Sequence, residues 1–333
     1  MPHFFDTRLS VYELHLTLEH GIKIHPLSQS AHNHALDLGT CAAIGSFDGV
    51  HIGHQRVIAT AQHAAQLRGL KSSIISFDPH PQSFLQKNTP PFRLMTLAQQ
   101  VKAFEALGVQ TLYILRFDQA LASLSAPDFA ELILKDTLAL AHISVGFDFS
   151  FGARGLGKPE DLAEWGQDLG FSCDILDCQR DQYGDKLASS QVRDALEHAD
   201  IEKAAQILSR PQAYEGVVIK GDQKGRTIGF PTLNLDLGAY LRPKYGVYVT
   251  KTRFADGQIL PSITNIGLRP TVDGLNERFE THVFGLDHEI YGQTVEIELW
   301  HYIRPEMKFA SFLDLKAQIT ADSQAAKAFF KIS

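Results

Sequence analysis

The sequence predicts an α/β domain with a parallel sheet over residues 1–205, followed over 206–333 by an all-β domain, a small antiparallel barrel with a C-terminal helix. Three observations predict it. The 333 residues are about twice an ordinary domain. Between Cys41 and Asp177, short β-rich runs alternate with helical ones, the pattern of βαβ units. Beyond Arg210-Pro211, strand-like runs follow one another with almost no helical pattern until Phe312.

In chain order, Val11–Leu18 alternates apolar and polar residues, and no function is assigned to residues 1–40. Their histidines (His20, His25, His32, His34) are irregularly spaced, as in a solvated stretch. Cys41–Phe47 reads as a strand, and Gln55–Leu67 as a helix that Gly69 closes. Ser72–Phe77 is the next strand, Leu97–Leu107 a helix closed by Gly108, and Thr111–Phe117 a strand. Asp128–Leu140 is helical, His142–Phe147 a strand, Leu162–Leu169 a helix and Phe171–Asp177 a strand. Val192–Leu196 and Ile201–Leu208 are two helices leading to the boundary. The barrel strands are predicted at Gly216–Ile219, Ile228–Leu235, Gly246–Thr252, Ile259–Ile266, Phe279–Phe284 and Thr294–Tyr302, with a helix at Phe312–Phe330. Asp256-Gly257 predicts a two-residue hairpin turn.

Composition narrows the function classes. A hydrophobic share of 44% fills ordinary cores, and with 21% charged residues the chain is neither disordered nor low-complexity. No apolar run reaches the roughly 18 residues that cross a bilayer, and Met1-Pro-His-Phe-Phe-Asp lacks a signal-peptide pattern, so a cytoplasmic location is expected. Cys41, Cys173 and Cys178 form no CxxC and are expected to be packed thiols. A net charge of -7 argues against broad nucleic-acid binding, which needs a basic surface. The partners expected are small molecules, with neither nucleic acid nor membrane, and nothing in the sequence sets an oligomeric state.

The first motif follows the first strand of the alternation. Gly45-Ser46-Phe47-Asp48-Gly49-Val50-His51-Ile52-Gly53-His54 runs directly into a helix, whose unpaired N–H groups and positive dipole end attract phosphate. His51 and His54, three apart, share a face and can reach one polyphosphate. The string has neither the Lys-Ser/Thr pair of a Walker loop nor GxGxxG. Three further loops follow later: Asp78-Pro79-His80-Pro81, Asp148 with Gly152, and Ser189-Ser190 with Arg193 one turn on. Each is expected to follow an apolar strand, where α/β folds place ligands, and the third supplies hydroxyls at a helix start. Together the strings resemble the adenylyltransferase half of bacterial bifunctional FAD synthetases, of the Rossmann-like HxGH nucleotidyltransferase superfamily, over about residues 40–200. Ser46 stands where Asn is usual, and Ala188 where the family's first serine is usual.

The second motif set lies in the β-rich half. Gly221, Gly225 and Gly229 flank Lys224 and Arg226 in a flexible basic turn suited to phosphates. Thr232 and Asn234, two apart on a strand, share a face and offer oxygen donors to a hard cation. Asn265 precedes Glu280-Thr281-His282, where Glu280 has the chemistry of a general base. With Pro231-Thr232-Leu233-Asn234 and Ile303-Arg304-Pro305-Glu306, these strings resemble riboflavin kinase over about residues 205–330.

The paired resemblance implies two reactions: ATP phosphorylates riboflavin to FMN, and FMN then attacks the α-phosphorus of ATP, releasing pyrophosphate and leaving FAD. It implies that Mg2+ is required. Glu280 would be the kinase base, Thr232 and Asn234 metal ligands, and Pro231 and Arg304 flavin or phosphate contacts. The Gly221–Gly229 turn would cover the nucleotide. In the other half His51, His54 and Arg193 would carry catalysis. Gly45, Phe47, Asp48, Gly49, Gly53, Asp78, His80, Asp148, Ser189 and Ser190 would bind nucleotide. Only the kinase step needs a base, because its nucleophile is a neutral alcohol whereas a phosphate is already anionic. Alternatives are an adenylyl- or cytidylyltransferase acting on another phosphorylated vitamin, a tRNA-synthetase relative sharing HxGH, and a flavin-binding regulator without turnover. The acidic charge and β-rich half argue against the synthetase, and the joint presence of both motif sets against the regulator.

Overall fold

The protein is described by a computed structural model covering residues 5–17, 21–32, 36–86, 88–180, 184, 186–220, 230–271 and 274–332. Contacts divide it into two units, Met1–Thr89 with Leu97–Ala188, and Pro90–Thr96 with Ser189–Ser333. The two helices before the expected boundary therefore group with the β-rich unit.

The first unit is built on β1 (Ser10–Leu16), β2 (Ile22–Pro26), β3 (Cys41–Ile44), β4 (Ser72–Asp78), β5 (Thr111–Arg116), β6 (His142–Gly146) and β7 (Ser172–Leu176). They form one sheet in the order β2-β1-β5-β4-β3-β6-β7. All neighbours are parallel except β1 and β2. The alternating segment at residues 11–18 thus enters the sheet as β1, beside β5, while β2 makes an antiparallel edge. Helix α1 (Ile52–Arg68) ends at Gly69, whose left-handed backbone turns its N–H onto the Ala65 and Gln66 carbonyls. Helices α2 (Leu97–Ala106) and α3 (Pro159–Leu169) follow. The stretch predicted as one helix from Asp128 is a short α-turn and then a π-helix, Phe129–Thr137.

The chain winds from β3 through β4 to β5 on one side and returns beside β3 as β6. This reversal leaves a crevice beyond the carboxyl ends of β3 and β6, where open α/β sheets bind ligands.

The second unit begins with α4 (Ser189–Glu197) and α5 (Ile201–Leu208). Its strands are β8 (Ala213–Val217), β9 (Leu233–Asn234), β10 (Gly246–Phe254), β11 (Ile259–Thr271), β12 (Gly274–Val283) and β13 (Thr294–Arg304), antiparallel in the order β8-β13-β10-β11-β12-β9. A bridge between Ile219 and Asn234 brings the ends of the sheet together. The β10–β11 turn has three residues rather than two: Phe254 pairs with Gln258, and Gly257, at φ 89°, donates to the Phe254 carbonyl.

One face of β10–β12 carries a chain of fully buried hydroxyls, Thr252–Ser262–Thr250–Thr264–Thr281, linked at 2.8–3.0 Å. Each hydroxyl is satisfied by its neighbour, which makes their burial tolerable. The opposite face meets α6 (Phe312–Phe329), packed through Val247, Val249, Ile263 and Ala326. Among the described residues no helix is long and apolar enough to cross a membrane.

Candidate active sites

The loop after β3 is forced into an unusual backbone path. Phe47, Gly49 and Val50 all have positive φ (48°, 88° and 42°), a conformation costly for an aromatic and more so for a β-branched residue. The strain is held by the surroundings: Val50 N–H bonds the Phe47 carbonyl at 3.0 Å, and Gln100 donates to the Ser46 carbonyl at 3.0 Å. Phe47 is buried, and a side chain on Gly45 would meet its ring at 3.3 Å.

His51 is the N-cap of α1, and its Nδ1 accepts the His54 N–H at 3.3 Å. The two imidazoles stack, with centroids 3.6 Å apart and planes 23° from parallel. The shared face expected from the spacing is thus present. Gly53 makes room for it, since a Cβ there would come within 3.0 Å of the His51 ring and 3.2 Å of the Leu187 carbonyl. Asp48, within the loop, is buried.

This loop opens onto a cavity of about 400 Å³ lined by Gly45, Phe47, His54, Asp148 and a set of aromatics that includes Phe77 and Phe149. Gly152, after β6, is at φ 70°, and a Cβ there would strike the Ala126 backbone at 2.5 Å. Asp148 pairs with Lys186 at 2.8 Å, and Lys186 also lies over the Phe147 ring at 4.9 Å. Lys186 belongs to none of the sequence motifs, and its position just before Leu187-Ala188-Ser189 is the one local signal for it. Asp78 ends β4, while His80 caps the short helix Pro81–Leu85 by accepting the Gln82 N–H at 3.2 Å.

Ser189 and Ser190 open α4, in the second unit. There Arg193 donates to the Phe92 carbonyl at 2.9 Å and lies over the Phe92 ring.

In the barrel, cross-strand register makes a second site. Glu280 pairs with Asn234 on one side and Asn265 on the other, placing three polar residues in one row across β9, β12 and β11. One step along, His282 pairs with Ile263, and its Nδ1 bonds the Pro231 carbonyl at 2.8 Å. Burial holds the His282 pKa below its usual 6.5, helped by Lys327 and opposed by the Pro231 bond. One step the other way, Arg278 pairs with Gly267 and reaches Glu280 at 3.2 Å.

Thr232, Asn265, Arg278, Glu280 and His282 line a cavity of about 420 Å³ under α6, whose Phe312, Leu315 and Ile319 make its wall apolar. Thr232 also borders a smaller cavity of about 230 Å³. Arg304 lines the larger one too, with its fork engaged by Asp322 of α6. Its Nε lies 3.1 Å from both carboxylate oxygens and its Nη2 2.7 Å from Oδ2. Arg278 and Asp322 were absent from the sequence candidates. Arg278 is recoverable from its two-residue spacing to Glu280, whereas Asp322 gives no local signal. Gly221, Lys224, Gly225, Arg226 and Gly229 lie outside the described residues.

Residues 34–191 match the FAD synthetase family and residues 208–330 the riboflavin kinase family. The bifunctional riboflavin kinase/FMN adenylyltransferase of Haemophilus influenzae is 37% identical over 310 residues, 91% of this chain and 99% of that one. Its namesake from Escherichia coli K12 is 35% identical over 93% and 97% of the two chains. A crystal structure titled a macrolide-efflux protein from Streptococcus pneumoniae is 30% identical, covering 87% of this chain and 94% of that one, with a TM-score of 0.77.

Proposed function

The chain belongs to the family of bifunctional riboflavin kinases/FMN adenylyltransferases, and from that membership we propose that its barrel makes FMN from riboflavin and ATP while its α/β part adenylylates FMN to FAD. The observation that carries this reading is that each matched region holds its own polar site at the edge of its own cavity: the stacked His51 and His54 in one, the Asn234–Glu280–Asn265 row in the other.

In the kinase reaction the terminal ribityl hydroxyl is a neutral nucleophile. Glu280, between two amide side chains at the cavity wall, takes its proton as the oxygen attacks the γ-phosphorus. The apolar wall from α6 suits a fused-ring flavin. Thr232 and Asn234 present hydroxyl and amide oxygens, hard donors of the kind magnesium takes, and Thr232 borders the cavity that holds Glu280. These two residues would hold a magnesium ion, which would supply charge neutralisation on the nucleotide phosphates.

In the adenylyl transfer the nucleophile is already an anion. The α1 N-terminus and the two imidazoles hold the nucleotide phosphates and offset the charge that builds on them. The loop strain serves this by fixing the backbone before substrate arrives. Asp148 and Lys186, paired at the edge of the same cavity, orient the nucleotide's polar groups. Two ATP-consuming reactions on small soluble substrates fit a cytoplasmic setting.

The test is Glu280→Gln, which keeps shape but accepts no proton. FMN formation should fall by about a hundredfold or more, while supplied FMN is still converted to FAD. Retention of more than about a tenth of kinase turnover would remove Glu280 from the base role.

A further inference from the structure

Glu280 is contacted by a cation that the kinase chemistry described above leaves without a role. The titratable and charged groups facing the cavity are Arg278, Glu280 and His282 on β12, Arg304 and Glu306 at and after the end of β13, and Asp322 on α6. Most are committed. Asp322 engages Arg304, Glu306 accepts the Leu268 N–H at 3.2 Å, and His282 is tied to the Pro231 carbonyl. Arg278 Nη1 meets Glu280 Oε1 at 3.2 Å, with both side chains about a quarter exposed, at 26% and 23%.

We propose that Arg278 is the clamp for the phosphate of newly formed FMN: it pairs with Glu280 before turnover and passes to the product phosphate afterwards. This rests on the kinase reading. In that reaction the ribityl O–H proton goes to Glu280 and a bond forms from the ribityl oxygen to the γ-phosphorus. The bridging P–O bond to the β-phosphate breaks, and ADP leaves with the electron pair. The oxygen that Glu280 serves thereby becomes the ester oxygen of a phosphate monoester, so a multiply charged anion appears where a neutral hydroxyl stood. A guanidinium already in contact with the carboxylate serving that oxygen lies within one side-chain swing of the new anion. A phosphate offers it a two-pronged, charge-assisted contact, and its higher negative charge attracts the guanidinium more strongly than the carboxylate does.

The register places Arg278 on the side of Glu280 away from His282 and the Pro231 carbonyl. It therefore approaches the product from the side opposite the proposed nucleotide ligand Thr232. Tighter retention of FMN than of riboflavin follows, and with it inhibition of the kinase by its own product.

The test uses the full chain. Initial rates of riboflavin loss at fixed Mg-ATP, with FMN added in steps, yield the riboflavin KM and the FMN inhibition constant. Arg278→Gln should raise the inhibition constant about tenfold or more and leave the riboflavin KM within about twofold, because riboflavin carries no phosphate for the guanidinium to hold. Arg278→Lys, which keeps the charge without the fork, should raise it about threefold or more with the KM held, and serves alone if the Gln variant does not fold. An inhibition constant within about twofold of the parent, or one that rises in step with the KM, overturns the clamp. Failure of the parent chain to consume riboflavin would instead defeat the kinase reading.

Discussion

Asp322→Ala should unseat the helix that walls the kinase cavity. The Asp322 side chain is 5% exposed and that of Arg304 16%. The carboxylate accepts from Arg304 at 2.7 and 3.1 Å and from Gln318 at 2.8 Å. Truncation leaves a largely buried guanidinium without its anion, a loss of about 3–5 kcal/mol for a buried pair. For a unit of this size each kcal/mol moves the midpoint by roughly 2–4 °C, so the second unit's transition should fall by about 10 °C. Scanning calorimetry of the full chain measures it, and hydrogen exchange along residues 312–329 assigns it to α6. Because Phe312, Leu315 and Ile319 line the cavity, the riboflavin KM should rise as the helix loosens, while conversion of supplied FMN to FAD is unaffected. Asp322→Asn, which keeps one acceptor and the shape, should lie between parent and Ala. A midpoint drop below about 2 °C for the Ala variant would mean that the pair does not hold the helix.

His51→Ala and His54→Ala should each lower FAD formation from FMN by about a hundredfold or more, the usual loss for one preorganised charge-stabilising group, and leave riboflavin phosphorylation near parent level; chromatography of both products checks this. The His282 pKa lies below its unfolded value, so between the two values the unfolded chain binds more protons and stability rises with pH. The second unit should thus be most stable above about pH 6.5 and lose stability as pH falls toward the folded value, and urea titrations should show the loss diminished in His282→Gln.

Much of this was legible because βαβ periodicity is local. Helix α5 was predicted at its observed bounds, and the Gly69 closure was visible as a glycine after an apolar run. Other features depend on partners distant in sequence. β1 reads as a half-covered strand, yet pairing with β5 and β2 buries five of its seven residues. The π-helix at Phe129 has the same apolar spacing as an α-helix, so its wider turn leaves no trace. In the first site the HxGH string was readable, but the positive φ of Phe47 and Val50 was not, because neither residue type announces it. In the second site the row Asn234–Glu280–Asn265 needed the strand register, which alternation alone does not set across such loops. The Arg304–Asp322 pair links a strand end to a helix and has no local pattern.

The most direct measurement follows riboflavin, FMN and FAD by chromatography after mixing the purified chain with riboflavin and Mg-ATP. FMN should appear first and FAD follow at its expense, and excess chelator should stop both. Absence of both products at every time, or FAD accumulating without FMN as its precursor, would contradict the two-step reading.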